Sequence, residues 1–266
     1  MIRIGVFGLG TIGRHICRAI DAGIPGIALI GATARDRSKG DEFLASLGTK
    51  RPFLTTAELI AASDLVIEAA NQAALIELAP AVLNAAKDLM MLSCGALVDH
   101  EDWIALANAK GCRILVPSGG IGGLDAVKGA SVGTVNRVVM ESRKAPMKWA
   151  GAPYVRDQAI DLASITTETV LFRGSAAEAC KAFPASVNIV AALSFAGIGA
   201  DRTSITIFAT PGLNLNAHRI TVEGEFGCLQ LSIENEPSEN PRTAKLAYLS
   251  AIAMLKQMGA TLRVGT

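Results

Sequence analysis

The sequence has no excess of either charge: 25 Lys and Arg stand against 24 Asp and Glu in 266 residues. It therefore lacks the basic stripe that nucleic acid or an anionic membrane surface requires. No apolar run reaches the roughly 18 residues that span a bilayer. MIRIGVFGLG enters a strand and a turn directly, without the layout of a signal peptide. These absences predict a cytoplasmic protein that works on small molecules, not on nucleic acid or membrane. The five cysteines (Cys17, Cys94, Cys112, Cys180, Cys228) are odd in number, scattered and without CxxC spacing. Neither a disulfide framework nor a zinc site follows, and no metal is expected. Most read as small buried apolar residues; Cys94, in a Ser-Cys-Gly turn after a strand, is the exception. Repeats, low-complexity tracts and long linkers are missing as well.

What is present is enough apolar sequence, 50% of residues, for one large or two moderate cores. IRIGVF, IALIGA, DLVIEAA, LMMLSCG and CRILVPS (112–118) read as strands, and helical segments separate them. Among those helices, TTAELIAAS has Thr56 as N-cap with Leu59 three residues on, hence no capping box. Continuous apolar runs of this kind suit a parallel sheet. After residue 118 the texture changes. VNRVVMESRK, TETVLFRG, TSITIFAT, HRITVEGEFG and CLQLSIEN alternate with period two, interrupted by two helical segments. The fold class expected is α/β: an N-terminal Rossmann dinucleotide-binding domain over 1–118, and a second α+β domain of mainly antiparallel strands over 119–240. A last helix, 241–258, is signposted by Asn240 as N-cap and Pro241 at its first position.

Gly8, Gly10 and Gly13 set G-x-G-x-x-G between the first strand and helix. In a Rossmann unit the first glycine makes the tight turn, the second lets backbone approach a pyrophosphate, and the third allows close helix–strand packing. The helix N-terminus then faces the phosphates, with Thr11 and Ile12 adding contacts. After the second strand, Asp36 would accept from the adenosine ribose as in NAD binders, whereas Arg35 and Arg37 would pair with the 2′-phosphate of NADP. Both options stand, and at least one of the three residues is only a solvated charge. Ala69, Ala70, Ser93 and Cys94 end two further strands at the carboxyl edge, where small side chains leave room for a nicotinamide ribose. Glu68 reads equally well as a water-exposed strand end or as a functional group.

PSGGIGGLDAV (117–127) is a second glycine-rich loop, but its spacing places Asp125 where the fingerprint has glycine. An acid there repels a pyrophosphate. The loop reads instead as a wall beside the nicotinamide whose N–H groups meet a substrate carboxylate, or else as an interdomain hinge. Of three histidines, His15 and His100 lie in or at helices and read as packing or surface residues. His218 opens a strand among two asparagines and is the best-placed group of near-neutral pKa for the proton transfer that accompanies hydride transfer, though a structural role is the commoner one for such a residue.

Taken in order, G-x-G-x-x-G at 8–13, PSGGIGGLDA at 117–126, RKAP with Trp149, FPASVNIVAALS at 183–194, Asn216-x-His218 and ENPRTAKL at 239–246 resemble the L-aspartate dehydrogenase family. The resemblance implies NAD or NADP as cofactor and oxidative deamination of L-aspartate to iminoaspartate. That product hydrolyses to oxaloacetate and ammonia or feeds NAD biosynthesis; the reverse amination is equally implied. It implies a homodimer, His218 as the catalytic residue, and Gly120 and Asn188 as cofactor contacts. Gly119, Ile121, Gly122 and Asn216 fall on the substrate side. Lys148 and Arg242 are candidate partners for the second carboxylate, or plain exposed charges. The sequence departs from the family pattern at Gly120, Thr210 and Ala244, where alanine, aspartate and serine are usual. The alternatives are a dehydrogenase of another small amino or hydroxy acid, or a dinucleotide-binding sensor without catalysis.

Overall fold

The computed structural model describes residues 1–240 and 243–265. The chain divides into two compact units, Met1–Pro117 with Tyr248–Arg263, and Ser118–Ala247 with the chain from Val264 onward. The first unit runs β1 (Ile2–Phe7), α1 (Thr11–Asp21), β2 (Ile27–Thr33), α2 (Arg37–Ala45), α3 (Thr56–Ala62), β3 (Leu65–Glu68), α4 (Gln72–Asn84), β4 (Asp88–Met91), α5 (Asp102–Lys110) and β5 (Ile114–Leu115). Its five strands are all parallel, in the order β2-β1-β3-β4-β5. All of β3 and nearly all of β4 is buried, as continuous apolar runs require. The carboxyl ends of β1, β2 and β3 lie level, with Phe7 beside both Thr33 and Glu68. In an open sheet of this kind ligands bind at that edge, where strand order reverses about β1.

Two local expectations need correction. The N-cap of α3 is Thr55, not Thr56, and a capping box is present: Glu58 N–H donates to Thr55 Oγ1 (3.3 Å) while Thr55 N–H donates to Glu58 Oε2 (2.8 Å). The strand expected over 112–118 shrinks to two residues. The Cys112 N–H is already held by the Ala107 carbonyl (3.1 Å), and Pro117 has no N–H to extend the ladder.

The second unit runs α6 (Leu124–Ala130), β6 (Val135–Lys144), α7 (Pro153–Asp157), β7 (Thr169–Ser175), α8 (Ala176–Ala182), α9 (Asn188–Ala196), β8 (Thr203–Ala209), β9 (Asn216–Gly224) and β10 (Gly227–Asn235). The sheet order is β10-β9-β6-β8-β7; only β6 and β8 pair in parallel, the rest antiparallel. Inward residues of β6 and β9 face each other in register: Val138 with Val222, Met140 with Ile220, Ser142 with His218.

The final helix, α10 (Lys245–Gly259), starts later than the 241 expected, and Asn240 does not cap it. The Asn240 carbonyl instead accepts from Thr243 N–H (2.9 Å), Ser238 N–H donates to the Thr243 carbonyl (2.7 Å), and Pro237 bridges Ala244. The residues ahead of the helix are thus tied into a loop; Pro241 and Arg242 lie outside the described residues. Ala251 and Leu255 of α10 join Ile4, Ile16 and Leu29 in the core of the first unit, and Tyr248 stacks on His15 with ring centroids 4.0 Å apart.

Candidate active site

In the first unit the glycine fingerprint has the packing that its chemistry needs. Gly8 has φ +105°, and a Cβ there would meet the Ala69 backbone at 2.7 Å. A Cβ on Gly13 would strike the Gly8 carbonyl oxygen, so both positions require glycine. Gly10 differs: nothing lies within 4 Å of its missing side chain, and it leaves the N-terminus of α1 without a side-chain cap. Thr11 and Ile12 open that helix. An open approach to uncapped N–H groups at a helix N-terminus fits a dinucleotide pyrophosphate.

At the edge of β2 the acidic option loses ground. Asp36 caps α2, with Oδ1 accepting from Lys39 N–H (3.1 Å) and Oδ2 3.3 Å from Lys39 Nζ. Those bonds hold its carboxyl below the usual carboxylate range. Arg37 lies over the Phe53 ring and 3.5 Å from Asp41. Arg35 is exposed and has no ion pair among the described residues.

Glu68 is not a water-exposed strand end. It is fully buried, and its carboxylate accepts from Ala70 N–H (2.7 Å), Ser93 N–H (3.0 Å) and Ser93 Oγ–H (2.9 Å). Burial pushes its pKa up and these donors oppose the shift. Ala70 and Ser93, expected as cofactor contacts, therefore spend these donors within the protein. What they offer a ligand is the space beside small side chains. Cys94, singled out at this edge, is itself buried.

In the second unit, the inward faces of β6 and β9 change character toward one end. After Val138 and Met140 come Ser142 and Lys144; ahead of Ile220 and Val222 come Asn216 and His218. All four polar residues are buried. The Ser142 hydroxyl and His218 Nδ1 share a hydrogen bond of 3.1 Å. Lys144 is 5% exposed; its Nζ lies 4.5 Å from the centre of the Trp149 ring and 3.4 Å from the Ser186 carbonyl, two residues before Asn188 opens α9. Lys148 Nζ donates to the Asn214 carbonyl (2.8 Å) and to Asn216 Oδ1 (3.1 Å).

Burial first, and then the Lys144 charge, push the His218 imidazole down to about 3, so the ring is neutral at physiological pH. Burial and the neighbouring Lys148 push the Lys144 ammonium down to about 8, and burial lowers Lys148 as well. The result is a buried imidazole beside two lysines, with no carboxylate bonded to either among the described residues.

The loop 119–123 belongs to the same unit. Gly119 and Gly123 adopt positive φ, and the Asn235 side chain donates to the Gly120 carbonyl (2.6 Å). Asn235 pairs with Asn216 across β10 and β9, which ties the loop to the strand that carries His218. A Cβ on Gly120 would meet Ala244 and Asn235 at 3.5 Å, an ordinary contact, so glycine and alanine are interchangeable there. The Ile121 side chain is 1% exposed, and its N–H donates to the Ser118 carbonyl (3.4 Å). Thr210 donates to Glu168 (2.8 Å), which also pairs with Arg143, an alternate position to the inward Ser142 and Lys144. The Thr210 hydroxyl is thereby bonded away from the His218 cluster, while its N–H donates to the Lys144 carbonyl (2.9 Å). His100 stacks on Trp103 and takes no part. Sequence reasoning missed Ser142 and Lys144. Their signal is the phase of VNRVVMESRK, whose inward positions end in Ser and Lys where a core strand would continue apolar.

A Rossmann unit with an open pyrophosphate approach, joined in one chain to a sheet whose buried face ends in a polar imidazole cluster, is the architecture of a two-domain NAD(P)-dependent oxidoreductase. Residues 8–117 match the family model described as homoserine dehydrogenase, NAD binding domain, and 125–258 match that of aspartate dehydrogenase, C-terminal. The chain is 44% identical over 271 residues to an L-aspartate dehydrogenase of Methanosarcina barkeri, covering 100% of both. It is 41% identical to one of Bradyrhizobium diazoefficiens, covering 100% of this chain and 94% of that one. The chain belongs to the L-aspartate dehydrogenase family. The crystal structure of aspartate dehydrogenase from Thermotoga maritima has the same fold, with TM-score 0.74 at 22% identity and all of both chains covered.

Glu68→Gln supplies a test of the strand-edge arrangement. The amide must point N–H groups at a main-chain donor, so we expect a loss of about 1–3 kcal/mol in denaturant unfolding. An unchanged midpoint would contradict the role given to the carboxylate.

Proposed function

We infer that this chain is an NAD(P)-dependent L-aspartate dehydrogenase, converting L-aspartate to iminoaspartate, hence oxaloacetate and ammonia, or running the reverse amination. The observation that carries the reading is the neutral, buried His218 held by Ser142, with Lys144 on the same sheet face and Lys148 in the turn that follows β6. Full-length relatives bearing that activity in their names support the substrate. Residues 8–13 suit the pyrophosphate, and the small side chains of Ala69, Ala70, Ser93 and Cys94 suit the ribose. Gly120 and Asn188 are assigned to the nicotinamide half by their place in the family pattern. When bound, the cofactor accepts the substrate hydride.

The chain's own residues then manage charge and protons. With Nδ1–H donated to Ser142, His218 Nε2 presents a lone pair that accepts a hydrogen bond from the amine or the attacking water, and it takes that proton once an anionic substrate offsets the Lys144 charge that helps depress the ring. Burial alone would equally suit a sensor without catalysis. The polar and cationic company of His218 argues for a working site instead, since a packing histidine has no need of two lysines. Main-chain N–H groups at Gly119 and Gly122, the Asn216 amide and Lys148 are the substrate-side donors. Arg35, exposed where Asp36 is occupied as a helix cap, suits the 2′-phosphate of NADP, so we assign the chain use of both dinucleotides. A homodimer is assigned from the family resemblance. Light scattering at twice the chain mass is the expected result, and a monomer at micromolar concentration would refute it.

His218→Ala should lower kcat by roughly 10²–10⁴-fold with dinucleotide affinity retained. Near-normal turnover in a reduced-nicotinamide absorbance assay would remove His218 from the mechanism. Arg35→Ala should raise KM for NADP about tenfold, a loss near 1.4 kcal/mol, and leave that for NAD unchanged; equal effects on both would withdraw the 2′-phosphate assignment.

A further inference from the structure

Lys144 is the residue that the known activity leaves unexplained. Its ammonium is 5% exposed, yet its contacts are one long bond to the Ser186 carbonyl (3.4 Å) and the face of Trp149 (4.5 Å). A buried charge is ordinarily paired. Among the described residues no carboxylate is bonded to it. β6 presents Ser142, and β9 presents Asn216 and the His218 ring, held neutral. The turn after β6 presents Lys148 and Trp149, and the segment before α9 a carbonyl. Glu141, next to this inward row on β6, is an alternate position paired with Arg143 (2.8 Å). Two ammonium groups, Lys144 buried and Lys148 part-buried, thus lie near each other with no carboxylate bonded to either among the described residues.

The missing negative charge is a ligand. We propose that Lys144 and Lys148 together form a dicarboxylate-binding site, in which Lys144 takes one substrate carboxylate and thereby sets the preference for four-carbon dicarboxylic over monocarboxylic acids. The proposal rests on the dehydrogenase reading for the identity of the substrate, but it makes a claim about equilibrium binding that needs no turnover. Charge balance selects the ligand: a dianion neutralises both lysines, the buried Lys144 and the part-buried Lys148, and a monoanion leaves one of them uncompensated. An ammonium that titrates near 8 gains a proton when the anion arrives, so binding above that pH is accompanied by proton uptake.

Trp149 against Lys144 gives an optical readout. In a Trp103→Phe background, Trp149 is the remaining tryptophan. Its emission is titrated with succinate and, as control, butyrate, in the apoprotein and again at saturating NAD. We expect succinate to bind at least tenfold more tightly than butyrate. Lys144→Met should weaken succinate at least tenfold while NAD affinity stays within twofold, and Lys144→Arg should restore part of the loss. The unliganded Lys144→Met protein should melt at the same temperature or higher, because it no longer buries a charge held for a ligand. A lower Tm would mark Lys144 as structural and overturn the proposal. So would succinate affinity unchanged in Lys144→Met, equal affinities for succinate and butyrate, or no succinate binding in either state. Succinate binding that depends on Lys144, without NAD(P) reduction on L-aspartate, would sink the dehydrogenase reading and leave this site standing. Reduction on L-aspartate with a fully competent Lys144→Met does the opposite.

Discussion

The antiparallel register of β6 against β9 is the constraint on which the second unit depends. Side chains alternate across a strand with period two, so a slip of one residue would turn every inward group outward. The observed register places Ser142 opposite His218 and, behind them, Met140 opposite Ile220 and Val138 opposite Val222. The apolar pairs fix the register because burying them is favourable in only one phase. The polar pairs come along at no choice of their own. The same alternation that builds the core thus delivers an imidazole, two hydrogen-bonding side chains and an ammonium to one end of it. Burial there does two things at once. It strips water from His218 and holds the ring neutral, and it strips water from Lys144 and leaves its charge poorly compensated.

The first unit solves a different problem, that of bringing backbone close to a ligand. Gly8 and Gly13 are pressed against other backbone, and Gly10 is left open, so three glycines in one motif serve two purposes. Glu68 contributes from beneath. A carboxylate with three protein donors ties the end of β3 to the start of the segment after β4, so that edge keeps its shape without help from a ligand. The cost of burying it is offset by those bonds.

Long-period signals were legible in the sequence, and three-dimensional partners were not. Continuous apolar runs located β3 and β4 because strands covered on both faces need no polar positions. Period-two alternation located β6 to β10 for the converse reason. The fingerprint glycines and His218 stood out because few residue types fit a tight turn or titrate near neutrality. Glu68 escaped, since a glutamate at a strand end looks the same whether it meets water or the donors of Ser93, 25 residues away. Lys144 escaped because a lysine at the end of a strand is ordinarily solvent-facing. Only the phase counted from Val138 shows that it must point inward. Thr55 was mistaken by one position because either threonine of the pair can cap, and Glu58 decides between them. The late start of α10 depends on the bridge between Pro237 and Ala244, which the cap signals at Asn240 do not reveal.

The return of α10 to the first unit has a consequence for biosynthesis. Ala251 and Leu255 complete a core whose other members lie between Ile4 and Met90. The helix leaves the ribosome about 130 residues after the rest of that unit, whose first segment ends at Pro117 while its second starts at Tyr248. At translation rates of about 5–20 residues per second, the nascent Rossmann sheet waits on the order of ten seconds with part of its apolar surface bare. All of the second unit except the chain from Val264 onward is made before that helix, although it is encoded after the Rossmann strands. A chaperone-free interval of that length is where a newly made chain is most prone to aggregation, so the demand for protection during synthesis falls on the N-terminal half.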